Sequence, residues 1–235
     1  MQTTSRTVSS SQICKHKNLS SIVRRHLTTQ YQQPIRDFNL QIFKQIESIK
    51  NSHHSPIILD SGCGTGESTR IIAREYPLCL VVGIDKSQHR LRRSGVNNNS
   101  GIIHSDNYIL ARTDIVDFWR LASKAGWQLH KHLILYPNPW PKPTHLVRRW
   151  HAHPVFPFLL SLGGHLELRT NWKIYAQEFS TAISKATDQT IISEPYSPQS
   201  TISPFEKKYL DSGHDLYRCK INLSVQSPIR KNLTN

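Results

Sequence analysis

The chain has 235 residues, 37% of them hydrophobic and 20% charged, and a formal net charge of +14. This composition predicts one folded domain with a sizeable core and excludes a chain that is mostly disordered. No apolar run reaches the roughly 18 residues of a membrane span, and the four cysteines lack C-x-x-C or zinc-like spacing. We therefore expect a cytoplasmic protein with reduced thiols and no disulfide framework.

The positive charge is concentrated in two spans that contain no Asp or Glu. Residues 1–36 hold six Lys or Arg, and residues 118–166 hold six more together with six histidines. A surface of this kind suits a polyanion, which makes nucleic acid the expected partner. A basic surface that merely keeps the protein soluble is the alternative.

The chain divides into three predicted segments. Residues 1–33 are rich in Ser, Thr, Gln and cations, which predicts a flexible basic arm; a mitochondrial transit peptide is the alternative. Residues 34–225 form the predicted domain, which begins with a helix behind Pro34. A frayed tail is expected over residues 226–235.

Within the domain, short apolar runs alternate with helical periodicity. The predicted strands are 57–60, 80–85, 108–111, 132–136, 166–170, 190–193 and 216–223, and the predicted helices after the first are 67–75, 86–94, 114–125 and 172–186. This alternation favours an α/β fold with a mostly parallel seven-stranded sheet and helices on both faces.

A glycine-rich turn, Asp-Ser-Gly-Cys-Gly-Thr-Gly over residues 60–66, follows the first predicted strand. Alternate glycines let the backbone approach a ligand at the carboxyl end of a strand, and the spacing differs from the dinucleotide G-x-G-x-x-G. Asp85 ends the second strand, where it can accept from both hydroxyls of a ribose, and Asp114 follows the third, where it can accept from an adenine amino group. Each could instead cap the helix behind it.

This order of glycines and carboxylates resembles that of class I S-adenosylmethionine-dependent methyltransferases. The resemblance implies a Rossmann-like fold with an antiparallel C-terminal strand, and S-adenosylmethionine as the cofactor. The cofactor-binding residues that it implies are Asp60, Gly62, Gly64, Gly66, Asp85, Lys86 and Asp114.

The segment Tyr-Pro-Asn-Pro-Trp-Pro-Lys, residues 136–142, follows the fourth predicted strand. It lies where amino-group methyltransferases carry Asn/Asp-Pro-Pro-aromatic, but it is one proline short. Together with His145, Arg148 and Arg149, it is similar to the Pro-Asp-Pro-Trp…His…Arg-Arg signature of bacterial tRNA (guanine-N7)-methyltransferases. Further similarities are Leu-Gly-Gly at 162–164, the segment 168–172, and Ser-Pro-Phe-Glu at 203–206, so the resemblance covers about 57–221.

The family resemblance implies an enzyme that methylates guanine N7 in the tRNA variable loop, at position 46. The implied catalytic residues are Asn138, Ser203 and Glu206, and the implied substrate- and RNA-binding residues are Trp140, Lys142, His145, Arg148, Arg149 and Asn171. The reaction needs no metal, and a monomer or homodimer is expected.

Three residues depart from the family pattern: Asn138 and Asn171 replace aspartates, and Ser203 replaces a threonine. Guanine N7 has a free lone pair, so catalysis is mainly positioning, and losing one charge-assisted hydrogen bond costs on the order of 1–3 kcal/mol. A weakened enzyme fits these changes. A methyltransferase with another RNA or small-molecule acceptor also fits, and so does a non-catalytic protein that binds cofactor or RNA.

Overall fold

The computed structural model describes residues 5–96 and 100–223. Eight strands in the described residues form one sheet with the order β3-β4-β2-β1-β5-β6-β8-β7. They are β1 (Ile57–Ser61), β2 (Leu80–Asp85), β3 (Ile102–Ser105), β4 (Tyr108–Arg112), β5 (Leu129–Leu135), β6 (Gly164–Thr170), β7 (Ser193–Pro195) and β8 (Tyr217–Leu223).

The five central strands are parallel to one another, whereas β3, β7 and β8 each pair antiparallel with a neighbour. The predicted mostly parallel sheet with an antiparallel C-terminal strand is therefore confirmed. The strand count of seven was wrong, because no element was predicted for residues 102–105, which form β3. Its burial is only intermediate and it lies at the edge of the sheet, so no buried apolar run marks it in the sequence.

Helices cover both faces of the sheet. They are α1 (Leu19–Thr28), α2 (Asp37–His53), α3 (Glu67–Glu75), α4 (Gln88–Arg92), α5 (Ile115–Lys124), α6 (Phe156–Ser161), α7 (Lys173–Thr187) and α8 (Pro204–Asp211). Apolar residues of α1, α2, α5, α6 and α7 build the larger core, and α3, α4 and α8 pack on the other face. The residues of β1 and β2 are buried throughout, as expected for parallel strands covered on both sides.

The predicted flexible arm needs correction. In its described part, α1 buries Leu19 and Val23 in the larger core, next to α7. The amide of Gln12 and the backbone N–H of His16 both donate to Glu178 on α7. Residues 5–33 thus contain part of the folded domain. Leu19 and Val23 lie one helical turn apart and anchor α1 in the core.

The first four residues of the predicted arm and the predicted tail at 226–235 lie outside the described residues. No helix in the described ranges is long and apolar enough to cross a membrane.

Candidate active site

A cavity of about 580 Å³ lies where the central parallel strands end. Its walls come from the segments that follow β1, β2, β4 and β5, and from α8 and the loop before α6. Ligands of open α/β sheets bind at the carboxyl ends of the strands, and this volume falls within the range of about 300–1,000 Å³ typical of ligand sites. The cavity therefore has the position and size of a substrate or cofactor site.

The three glycines of the turn have positive φ angles, but only one of them faces the cavity. Gly62, with φ +85°, lines it, and a Cβ added there would lie 3.8 Å from Ile115 Cδ1 across the opening. A Cβ on Gly66 would come within 2.6 Å of the Leu110 side chain. Gly62 thus leaves room at the cavity wall, whereas Gly66 allows α3 to approach β4.

Asp60 lies behind the turn and does not line the cavity, so its predicted direct contact with the cofactor is not supported. Its Oδ2 accepts from Ser68 Oγ at 2.6 Å and from Thr69 Oγ1 at 2.8 Å. Burial raises the pKa of the carboxyl to about 6, although the two hydroxyl hydrogen bonds oppose this shift. Asp60 therefore ties the glycine turn to the first turn of α3.

Asp85 is buried at the end of β2, and its carboxylate borders the cavity. Oδ2 accepts from the backbone N–H of Gly64 at 3.0 Å, and Oδ1 accepts from Ser87 N at 2.7 Å and from Arg90 Nη2 at 3.1 Å. A carboxylate offers about four acceptor positions, of which these contacts use three. Asp85 is thus positioned by the glycine turn and held in an ion pair with Arg90.

Asp114 both caps a helix and lines the cavity. Its Oδ1 accepts from Val116 N at 2.8 Å at the start of α5, as the capping alternative anticipated. A carboxylate has acceptor capacity left after one such bond, so the cap does not exclude a ligand contact. Lys86 also lines the cavity, beside Asp85.

The opposite end of the cavity is formed by the loop that contains Asn138 and Trp140. Asn138 is exposed, and its Oδ1 accepts from Trp140 N at 3.2 Å. Tyr136 and Trp140 have φ angles of +51° and +46°, a region that bulky residues rarely occupy. Such backbone strain concentrates at functional sites. One acceptor position of the Asn138 amide is therefore engaged within its own loop, and the Nδ2 donor has no partner among the described residues.

Aromatic side chains that the sequence analysis did not single out complete this end of the cavity: Tyr136, Phe205 and Tyr209. Phe205 is 40% exposed at the rim and stacks on Tyr209, with 6.1 Å between ring centroids. The Tyr136 hydroxyl donates to Glu206 Oε1 at 2.8 Å. The apolar periodicity of α8 alone could not separate Phe205 and Tyr209 from an ordinary core face.

Ser203 and Glu206, predicted to contact the substrate, lie behind this aromatic wall. Ser203 Oγ caps α8 by accepting from Glu206 N at 3.2 Å. Glu206 is fully buried, and its carboxylate accepts from Tyr136, Arg169 and the backbone N–H of Ile202. The predicted substrate contact is therefore corrected to a supporting position, because Glu206 is inaccessible to solvent and neither residue lines the cavity.

The adjacent arginines of the Arg-Arg pair have different environments. Arg148 is exposed, lines the cavity and lies over the Trp140 ring at 4.8 Å. Arg149 is fully buried and pairs with Glu178 through Nη1 and Oε2 at 2.5 Å, while it also donates to the carbonyl of Trp140. The predicted RNA contact of Arg149 is corrected to a structural role, because its guanidinium is buried and paired with Glu178.

Glu178 gathers four donors, and the sequence analysis missed it. It accepts from Arg149 and from His151 Nε2 at 3.0 Å. It also accepts from Gln12 and His16 in residues 5–33, hereafter the N-terminal segment. Burial opposes ionisation of Glu178, but the hydrogen bond from His151 and the charge of Arg149 lower its pKa to about 2. Burial lowers the pKa of His151, although its hydrogen bond to Glu178 and the charge of Glu178 oppose this shift.

The remaining predicted RNA contacts lie in two places. Lys142 is exposed and His145 half-buried, both beside Trp140, and partial burial and the neighbouring cations lower the pKa of His145. Asn171 does not line the cavity, and its Nδ2 lies 3.0 Å from His214 Nδ1. Among the described residues, no cluster of three His, Cys, Asp or Glu could hold a metal ion.

Comparison with known proteins gives a matching family and several relatives. A family model with the description "Putative methyltransferase" matches residues 54–219. A tRNA (guanine-N(7)-)-methyltransferase of Neisseria meningitidis is 30% identical over 171 residues, which are 69% of either chain. The enzyme of that name from Nitrosococcus oceani is 30% identical over 182 residues, which are 72% of either chain.

Solved structures with similar folds are methyltransferases too. An antibiotic-related methyltransferase matches with a TM-score of 0.55 and 14% identity, over 83% of this chain and 97% of that one. The 16S rRNA methyltransferase KamB matches with a TM-score of 0.53 and 14% identity, over 82% and 95%. At this identity the likeness concerns the fold, and it confirms the predicted Rossmann-like methyltransferase architecture.

Proposed function

Because the chain belongs, as a divergent member, to the tRNA (guanine-N7)-methyltransferase family of S-adenosylmethionine-dependent enzymes, we propose that it methylates guanine N7 in tRNA, at position 46 of the variable loop. The observation that supports this most directly is that one cavity is bordered by Asp85 and Asp114 at one end and by Asn138 and Trp140 at the other. One end suits a nucleoside cofactor, and the other suits a base.

The residues at the cofactor end fit S-adenosylmethionine. Asp85 can accept from ribose hydroxyls once Arg90 releases one acceptor position, and Asp114 can accept from an adenine amino group while it caps α5. Gly62 leaves the wall open beside Ile115. When bound, the cofactor supplies a methyl group on a positively charged sulfur.

The residues at the other end would hold the guanine. Guanine N7 has a free lone pair at neutral pH, so the site needs alignment and no general base. The Nδ2 group of Asn138 can donate to guanine O6, next to N7, and the bond from Trp140 N to Oδ1 fixes the orientation of the amide. Trp140 and the Phe205–Tyr209 stack offer aromatic faces for the base, and the buried Glu206 holds Tyr136 in place.

The surface beside the cavity would contact phosphates. Ser10 Oγ donates to Pro141 O at 2.5 Å, and the His26 ring lies 3.1 Å from Ala152 O, so the N-terminal segment runs along the 138–153 loop. This contact brings the two acid-free spans of the sequence together. Exposed cations of both spans could bind the tRNA backbone: Lys15, Lys17, Arg24, Arg25, Lys142 and Arg148.

Methyl transfer from labelled S-adenosylmethionine to unmodified tRNA, followed by nucleoside mass spectrometry, tests the proposal. We expect 7-methylguanosine, and a tRNA with 7-deazaguanine at position 46 should accept no label there. Asn138→Asp is the matched variant: because a carboxylate cannot donate to guanine O6, we expect kcat/KM to fall about ten- to hundredfold. Methylation of another atom or another RNA would contradict the proposed acceptor.

A second candidate function follows from the same residue. Because Asn138 presents a donor where a carboxylate would only accept, the pocket could prefer a different base edge or have lost turnover. Label on 7-deazaguanine RNA would favour a different acceptor. Tight S-adenosylmethionine binding without transfer to any RNA would favour a binding protein.

A further inference from the structure

His153 is a cavity-lining histidine that neither the sequence motifs nor the proposed mechanism uses. Asp114, Ile115 and Val116, at the start of α5, line the same cavity. The His153 ring contacts Tyr31, which packs on Arg120 of α5. These contacts tie His153 to the α5 side of the cavity, where Asp114 caps the helix.

The hydrogen bonds of His153 define its tautomer. The backbone N–H of Val155 donates to Nδ1 at 3.1 Å, so this nitrogen carries no proton. Burial and the neighbouring charge of His26 lower the pKa of His153 to about 4, despite Asp114, so the ring is neutral near pH 7. A neutral imidazole with a bare Nδ1 must carry its proton on Nε2. Nε2 has no hydrogen-bond partner among the described residues.

The ring is also held in a fixed orientation. It makes edge-on contacts with Tyr31, at 5.8 Å between centroids, and with Trp150, at 6.0 Å. Tyr31 is supported from behind by Arg120, whose guanidinium lies 5.0 Å from the Tyr31 ring centre and which pairs with Asp117 at 3.6 Å. A donor with a defined tautomer and a packed ring is preorganised for one acceptor of a ligand.

We propose that His153 is a specificity residue for the adenine of the cofactor: its Nε2–H donates to a ring nitrogen of the base, beside Asp114, which accepts from the 6-amino group. This inference rests on the proposed use of S-adenosylmethionine. An N–H donor next to a carboxylate complements an adenine edge, which carries acceptor nitrogens next to an amino donor. Hypoxanthine carries a carbonyl oxygen where adenine has its 6-amino group, so it offers Asp114 no donor there.

The test is calorimetric binding of S-adenosylhomocysteine and its 1-deaza, 3-deaza and 7-deaza analogues to the wild type and to His153→Phe. Phenylalanine keeps the ring contacts and removes the donor. We expect one analogue to bind the wild type about 2- to 13-fold more weakly, the range for one neutral hydrogen bond, and to show no further loss in His153→Phe. His165→Phe, an exposed histidine at the start of β6, is the control and should bind every ligand as the wild type does.

Equal affinity of S-adenosylhomocysteine for wild type and His153→Phe, or an equal loss of affinity for all analogues, would overturn the assignment. Neither result would contradict the proposed cofactor site. If His153→Phe changed only the KM for tRNA, His153 would act on the base to be methylated, which would also overturn the assignment. If the wild type bound no S-adenosylhomocysteine, the proposed function would fail and His153 with it. Should His153→Phe not fold, as judged by circular dichroism, His153→Met carries the same comparison.

Discussion

Arg149 and Glu178 form an ion pair of 2.5 Å in which both side chains are inaccessible to solvent. Because removal of one partner leaves a buried charge unpaired, we expect Arg149→Ala to lower the free energy of unfolding by about 3–5 kcal/mol. The exposed neighbour provides the control: Arg148→Ala should change stability by less than about 0.5 kcal/mol. Urea unfolding monitored by tryptophan fluorescence measures both. Equal midpoints for the two variants would contradict the structural role of Arg149.

The two adjacent arginines show a limit of prediction from the sequence alone. Arg148 and Arg149 are identical in type and adjacent in the chain, and both lie in a span without acids. Only the fold shows that Glu178, on a helix 29 residues later, approaches one of them. Charge along the chain predicted the basic surface, but not which cation is buried.

The central strands and the cofactor turn were predictable because their signals are local. Apolar runs of β1 and β2, alternate glycines and an acidic strand end each lie within a few residues. The supporting position of Glu206 was not predictable, since it depends on Tyr136 and Arg169 in two other segments. The positive φ angle of Trp140 was not predictable either, because no glycine marks it.

Arg90 should compete with the cofactor for Asp85. Three of about four acceptor positions of Asp85 are occupied, and two ribose hydroxyls need two, so Arg90 must give up its contact. We expect Arg90→Ala to bind S-adenosylhomocysteine about 2- to 5-fold more tightly, since partly exposed ion pairs contribute up to about 1 kcal/mol. Isothermal titration calorimetry measures this, with the exposed Arg93→Ala as the control. Weaker binding by Arg90→Ala alone would mean that Arg90 contacts the ligand.

Stability should fall as the pH is lowered below about 6.5, because His132 is buried and neutral. Its Nε2 lies 2.9 Å from Ser61 Oγ, which also accepts from Trp119 Nε1, so the hydroxyl proton points to His132. Burial lowers the pKa of His132 to about 3. A depressed folded-state pKa gives stability that is complete above the unfolded pKa and is lost as the pH falls toward 3.

At pH 5 this loss of stability amounts to about 2 kcal/mol, because about 1.36 kcal/mol is lost for each pH unit below 6.5. Urea unfolding at pH 7, 6 and 5 measures it. His132→Gln keeps an acceptor for Ser61 but cannot titrate, so its stability should depend less on pH. His130→Gln, at an exposed neighbouring position of β5, should keep the wild-type slope. Parallel slopes for all three proteins would show that His132 does not control the acid response.

The N-terminal segment should bind RNA through its exposed cations. Lys15 Nζ lies 3.3 Å from Thr181 on α7, and His26 contacts the loop at Ala152, so the segment has a defined position next to the cavity. We expect the variant Lys15→Ala/Lys17→Ala to bind tRNA more weakly without a change in S-adenosylhomocysteine affinity. Each phosphate contact removed should reduce the slope of log K against log salt by about 0.7–0.9.

The control for this prediction removes the same charge elsewhere. Arg74→Ala/Lys220→Ala changes two exposed cations, on α3 and on β8, which do not line the cavity. Filter binding between about 50 and 200 mM salt would compare the two double variants with the wild type. If both double variants lost equal affinity and slope, the net charge of the protein and not the N-terminal segment would set the attraction to tRNA. A reduced slope in Lys15→Ala/Lys17→Ala alone would show that the N-terminal segment, which Glu178 anchors, contacts the tRNA phosphates. A local contact is lost only when the cations that make it are removed.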